Sequence, residues 1–136
     1  MKKMILTLLS TSFLFSYTLT IEITGIENNR GQLLVGLYNQ QEGFREIDMT
    51  FKKGVVTTLY NKSVIYNFED IPKGSYSISI FHDENSNNQL DSNFLGIPKE
   101  GYGFSNNIRH ALRATSFDEA KFELISDMNM TIQIEY

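Results

Sequence analysis

Five positions in a ten-residue stretch carry the most specific chemistry in this chain. Within His82-Asp83-Glu84-Asn85-Ser86-Asn87-Asn88-Gln89-Leu90-Asp91, the residues Asp83, Asn85, Asn87, Gln89 and Asp91 fall at positions 1, 3, 5, 7 and 9 of an EF-hand-type calcium loop. Oxygen ligands at alternate positions let a tightly curled loop turn successive groups towards one hard cation, with Gln89 offering its backbone carbonyl. Asn88 stands where Gly is usual, and Asn tolerates the left-handed backbone needed there. Position 12 is Phe94, which cannot supply the closing bidentate carboxylate. The expected ion is therefore Ca2+, held weakly and structurally, with Glu84, Glu100 or Asp118 as possible additional ligands. The same residues also fit a turn in which Asp and Asn bond their own backbone without any ion.

The stretch from Phe94 to Phe117 follows no strand or helix period. Gly96, Pro98, Gly101 and Gly103 set its backbone, and a loop this long in a small domain is uncommon without a function. It is the expected place for a binding surface, with Tyr102, Phe104, Asn106 and Arg109 as ligand-binding candidates. A packed loop covering one edge of the fold is the structural alternative. Arg109, His110 and Arg113 form a basic group that either binds an anion or pairs with Glu100, Asp118 or Glu119. His82 and His110 are too isolated in sequence to suggest zinc, and no catalytic residue is assigned.

These groups need elements to position them. Leu19, Ile21 and Ile23 alternate with Thr and Glu over Thr18–Thr24, the period of a strand with one wet face. Similar patterns run through Gln32–Asn39, Val55–Leu59, Val64–Phe68, Ser75–Phe81, Lys121–Ile125 and Met130–Tyr136. Glu27–Gly31 and Ile71–Gly74 carry turn residues, and Phe44 is expected to insert into the core from an irregular stretch. Without a convincing long helix beyond the N-terminus, about seven strands imply an all-β, single-domain β-sandwich.

At 136 residues, with 41% hydrophobic and 12% aromatic residues, the chain is large enough for one domain with its own core. There is no cysteine, which excludes disulfides, thiolate metal sites and a cysteine nucleophile. Lys2 and Lys3 precede an apolar run from Met4 to Phe15, the pattern of a removable signal peptide and too short for a membrane span. Ser16 and Thr18 are small enough for a cleavage position. The expected division is a leader over 1–17 and a domain over 18–136, in a periplasmic or secreted protein with no stable membrane span after cleavage. Losing Lys2 and Lys3 would take the net charge from −4 to −6. That balance argues against nucleic acid as a partner.

Several stretches resemble one bacterial family. Phe81–Asn85 through Leu90-Asp91, and then Asn93–Asn107, are similar to the signature of the uncharacterised secreted proteins called DUF2141. The resemblance extends to Gly31–Asn39 with Glu42-Gly43-Phe44, to Ile71–Tyr76 and to Ser116–Phe122. It implies a small exported sandwich of prealbumin-like type, akin to transthyretin-like and carboxypeptidase-regulatory domains, and implies no catalytic residue or substrate. The expected function is a non-enzymatic envelope binding module for a protein, peptide or glycan. A small periplasmic hydrolase built from His82, Asp83, Glu100, Arg109 and His110 is the enzymatic alternative, and a subunit of a surface assembly is the structural one. No Gly-x-Ser-x-Gly, His-Glu-x-x-His or phosphate-loop motif supports the hydrolase.

Overall fold

The alternation of Leu19, Ile21 and Ile23 sends three apolar side chains to one side of the first strand, where all three are fully buried. The computed structural model describes residues 15–57, 59 and 61–136. It contains strands β1 (Ser16–Thr24), β2 (Gln32–Tyr38), β3 (Lys52–Val56), β4 (Val64–Pro72), β5 (Gly74–Asp83), β6 (Tyr102–Phe104), β7 (Phe122–Leu124) and β8 (Met128–Gln133). A single helical turn, α1, spans Phe117–Ala120. The expected leader over 1–17 lies outside the described residues apart from Phe15, Ser16 and Tyr17, the last two of which belong to β1.

The strands form two sheets. One is three-stranded, in the order β4-β1-β8, with β1 and β4 antiparallel and β1 and β8 parallel. The other is five-stranded: β3-β2-β5-β6 with β7 pairing the start of β5. Leu19, Ile21, Ile23, Phe68, Ile71 and Ile132 from the first sheet share one core with Leu33, Val35, Leu37, Ile78, Ile80 and Leu124 from the second. At roughly 1.5–3 kcal/mol for each fully buried aliphatic or Phe side chain, this core is the main favourable term. The fold is all-β and sandwich-like, as the sequence implies.

Ile71–Gly74 is a turn, but it joins the two sheets rather than two neighbours in one sheet. Only Lys73 separates β4 from β5. A bulge precedes the corner: Thr18 on β1 faces both Glu69 and Asp70 on β4, with Asp70 at φ 58°. The extra residue increases local twist and bends the strand towards its change of sheet.

Two expectations need correction. Ser75, Ser77 and Ser79 have the spacing of a wet face on β5, yet Ser77 and Ser79 are buried. The outer side of β2 and β5 is covered by a third, thin layer built from Tyr38, Phe44, Phe104, Phe117 and Ala120. Small hydroxyls fit under this layer, and Ser77 finds a partner there. Ser77 Oγ donates to the Phe117 carbonyl at 2.7 Å, and Ser105 Oγ accepts from the Ile78 amide at 2.9 Å. The second correction concerns the long loop, which contains β6 and raises the number of strands among the described residues to eight. Gly103 leaves its three residues no alternation to detect, so pairing with Ser79–Phe81 alone defines the strand.

Phe44 does insert into the core. Its ring meets Tyr38 edge-on at 5.1 Å, Phe117 edge-on at 5.9 Å and Phe104 at 6.0 Å. It is the hub of the third layer. Phe44→Ala should therefore lower the unfolding free energy by about 3–5 kcal/mol in urea denaturation, the usual range for opening such a cavity. A loss below about 1 kcal/mol would mean that the layer is not a packed part of the fold.

Candidate functional site

β5 ends at Asp83 and delivers it fully buried to the start of the Asn-rich loop. Its Oδ1 accepts the Asn87 amide at 3.1 Å and its Oδ2 accepts the Asn88 amide at 2.8 Å. Asn88 takes φ 61°, the left-handed conformation expected of it. Gln32 Nε2 donates to both Asp83 Oδ2 and Asn88 Oδ1, tying the loop to β2. The neighbouring turn adds an Arg30–Glu84 ion pair at 2.8 Å. Gly31 is needed where these turns touch, since a Cβ there would lie 2.0 Å from the Asp83 carbonyl oxygen.

Asp91 closes the far end. Asn85 and Asn87 donate their amide nitrogens to its two carboxylate oxygens at 2.6 and 2.9 Å. These bonds hold the Asp91 carboxyl below its ordinary range. The Asn85 and Asn87 side-chain oxygens accept from the Asn87 and Gln89 amides respectively. The five expected calcium ligands are thus gathered in one turn, but their polar atoms are bonded to one another. Among the described residues, no group of three or more His, Cys, Asp or Glu side chains is placed to hold a metal ion. In this arrangement the loop is closed by its own hydrogen bonds.

Glu100 was one of several possible extra ligands in the sequence, and the structure gives it a definite task. It is 5% exposed, and its two oxygens accept the amides of Glu84 and Asp91, both at 3.1 Å. Burial, aided by the nearby Asp91 and Asp83 carboxylates, raises its carboxyl above the ordinary value, against the lowering effect of the two amides. One buried side chain therefore holds both ends of the loop together.

The four ligand-binding candidates are spent differently. Phe104 packs its ring into the third layer at 6% exposure and also borders the recess beside Tyr102. Asn106 takes φ 63° and donates to the Glu119 and Lys121 carbonyls, clamping α1. Arg109 lies 3.9 Å over the half-buried Tyr102 ring, donates to the Tyr102 and Glu135 carbonyls, and pairs with the Glu135 carboxylate. Tyr102 and Arg109 do line a recess, of about 40 Å³, which is too small for more than water. Asn107, not singled out by sequence, bonds the Thr131 carbonyl and the Gln133 amide and so extends the edge of β8 with a side chain.

Neither histidine opens into a cleft. His82 is fully buried, with its ring nitrogens bonded to the Tyr136 hydroxyl and the Arg30 carbonyl. His110 bonds Glu119 at 3.0 Å, and Arg113 grips the same carboxylate with two nitrogens. His110 and Arg113 thus pair with Glu119, one of the carboxylates the sequence offered, whereas Arg109 pairs with Glu135, which it did not. Glu119 also closes a capping box with Ser116 at the start of α1.

A cluster of exposed apolar residues directly follows Asp91 and was not legible as such in the sequence. Phe94, which stands where a calcium loop would carry its closing carboxylate, is 95% exposed, beside Leu95 at 68% and Ile97 at 55%. The detectable signal was Asn93-x-Leu95-Gly96-Ile97-Pro98: an Asx-turn residue, a Gly and a Pro enclosing apolar side chains in a segment too short to bury them.

These features define an all-β sandwich whose distinctive surface is a loop closed by buried carboxylates. Residues 21–133 match the family described as "Uncharacterized protein conserved in bacteria (DUF2141)", and the chain belongs to that family. Neither a curated protein nor a solved structure matches it.

Arg113, and after it the Ser116 amide, lower the Glu119 carboxyl from the ordinary 4.5 to about 2. A lowered folded value stabilises the protein above the unfolded value and is lost as pH falls through the folded one. The acid limb of the stability curve between pH 4.5 and about 2 should therefore be shallower in Glu119→Gln, which keeps a cap acceptor without the charge. Parallel wild-type and variant curves over that interval, measured by denaturant unfolding, would show that the ion pair adds nothing.

Proposed function

We propose that this chain is an exported, non-catalytic binding module of the cell envelope, periplasmic or secreted, whose contact surface is the tip following Asp91. The observation that carries this reading is the combination of order and exposure. The tip is tied to the sandwich through Asp91 and Glu100, yet three of its apolar side chains touch mostly solvent. A rigid apolar projection is a contact element before it is anything else. Of the expected partner classes, a glycan suits it least, because sugar recognition needs several free polar groups and the Asn93 side-chain oxygen is spent inside the tip. The hydrolase alternative finds no support, with His82 buried and His110 paired.

The body of the module is a prealbumin-like sandwich in this proposal, a reading supported by its sheets of three and five strands. Within it, the Asp83–Asp91 turn is a structural, low-affinity calcium-type loop, with Asp83, Asn85, Asn87, the Gln89 carbonyl and Asp91 as ligands. The left-handed Asn88 and the curl of amides around Asp83 support that role. For calcium to enter, the Asn85 and Asn87 amides must exchange nitrogen for oxygen in front of Asp91.

Thermal unfolding in excess calcium and in chelator tests the loop. A ligand that binds only the folded state raises Tm by mass action. The expected result is a higher Tm with calcium, abolished in Asp91→Ala; equal Tm values in both buffers would leave a hydrogen-bonded turn alone. A photo-crosslinking residue at position 94, compared with one at position 65 in the intact envelope, tests the contact surface. Adducts are expected at 94 and not at 65, and equal labelling at both would remove the tip from consideration.

A further inference from the structure

The segment Ser92–Pro98 has a construction that its sequence does not announce. Ser92 and Pro98 form an antiparallel bridge, and the Asp91 carbonyl accepts the Lys99 amide at 2.8 Å. Inside that frame, Asn93 is the centre of every described bond. Its amide donates to the Ile97 carbonyl at 2.8 Å, and its carbonyl accepts from Gly96 at 3.0 Å. Its side-chain oxygen accepts the amides of Leu95 and Ile97 at 2.9 and 3.0 Å. Gly96 completes the turn at φ +78°. Three of the four amides of Phe94–Ile97 are thus satisfied without water, while the Phe94 amide and the Phe94, Leu95 and Gly96 carbonyls are left to water.

Internal satisfaction of this kind matters little in water, which would bond the same amides. It matters greatly in hydrocarbon, where an unbonded amide costs several kcal/mol and loops are excluded for that reason. The side chains agree with the backbone, since Phe94, Leu95 and Ile97 all project outward. We propose that Phe94-Leu95-Gly96-Ile97 is an interfacial anchor that dips into the apolar boundary of a neutral phospholipid bilayer. The Phe94 amide and the three carbonyls are left to headgroup water, which suits a shallow position at the boundary. The inference rests on reading the tip as the contact surface and narrows what the tip touches.

Area and charge favour a bilayer over a protein. At up to 150–250 Å² for an aromatic and less for partly exposed aliphatics, the three side chains present roughly 400 Å² of apolar surface. A stable protein interface needs about 800 Å² from each partner, so the tip alone supplies about half. A lipid surface needs no complementary shape and accepts a small convex wedge by partition. Lys99 is exposed immediately behind the tip, where an ammonium meets lipid phosphate. The chain's net charge of −4 directs it to neutral rather than anionic lipid.

The chain contains no Trp, so Phe94→Trp introduces a single indole at the tip. Emission is recorded as phosphatidylcholine vesicles are added to the protein recovered from cells. A blue shift is expected, half complete near 0.1 mM accessible lipid, on the order of a single short acyl anchor. Lipids brominated in their acyl chains should quench it, and adding Ile97→Ser should weaken the lipid affinity by about tenfold. Ile65→Trp, exposed on the outer side of the three-stranded sheet, should keep aqueous emission. A leader retained on the chain would tether both reporters alike, which is why the readout is local to the tip. Unshifted Phe94→Trp emission at saturating lipid, or an equal shift from Ile65→Trp, would overturn the inference. A lipid-independent shift that grows with protein concentration would also overturn it, in favour of a second copy. If the tip ignores vesicles but still crosslinks an envelope protein from position 94, the bilayer is wrong and the binding-module reading stands.

Discussion

Two carboxylates withdrawn from solvent govern the most distinctive part of this molecule. Asp83 is buried as the last residue of β5, and Glu100 returns beside it just before β6. An ionised group so placed is tolerable only if donors surround it. Most of the donors here are main-chain amides of the loop itself: Asn87 and Asn88 for Asp83, joined by the Gln32 side chain, and Glu84 and Asp91 for Glu100. Solvation of the two acids and shaping of the loop are therefore the same set of bonds. Everything from Glu84 to Lys99 hangs on them, including the direction in which the apolar tip leaves the body.

Much of the body was legible because strand periodicity is a local property. Leu19, Ile21 and Ile23 reveal β1 without knowledge of any partner, and Tyr76, Ile78 and Ile80 do the same for β5. The hidden parts depend on long-range pairing. The serines of β5 look wet until α1 and Phe44 cover them, and covering elements 40 residues away leave no mark on the strand. β6 is three residues long with Gly at its centre, so only its neighbour identifies it.

The site was legible in composition and not in allegiance. Asp83, Asn85, Asn87 and Asp91 do come together as their spacing requires. Asn106 and Arg109 were expected to face a ligand and instead hold α1 and the C-terminal backbone. A side-chain amide or guanidinium has the same chemistry in either use, and only the position of the nearest main-chain carbonyl decides between them. Phe94 inverts the usual inference from hydrophobicity, because a tip spanning Ser92 to Pro98 offers no interior in which to hide a ring.

The parallel pairing of β1 with β8 has a consequence for the order of events during synthesis. Leu19 meets Met128, so one edge of β1 stays without a neighbour until β8, more than 100 residues later, has been made. Contacts between such distant segments carry a high closure entropy and come late in folding. The antiparallel pairs β2–β3 and β2–β5 can form well before then. The β3-β2-β5 part of the five-stranded sheet is thus the natural template, and the three-stranded sheet is completed only once β8 arrives to pair with β1.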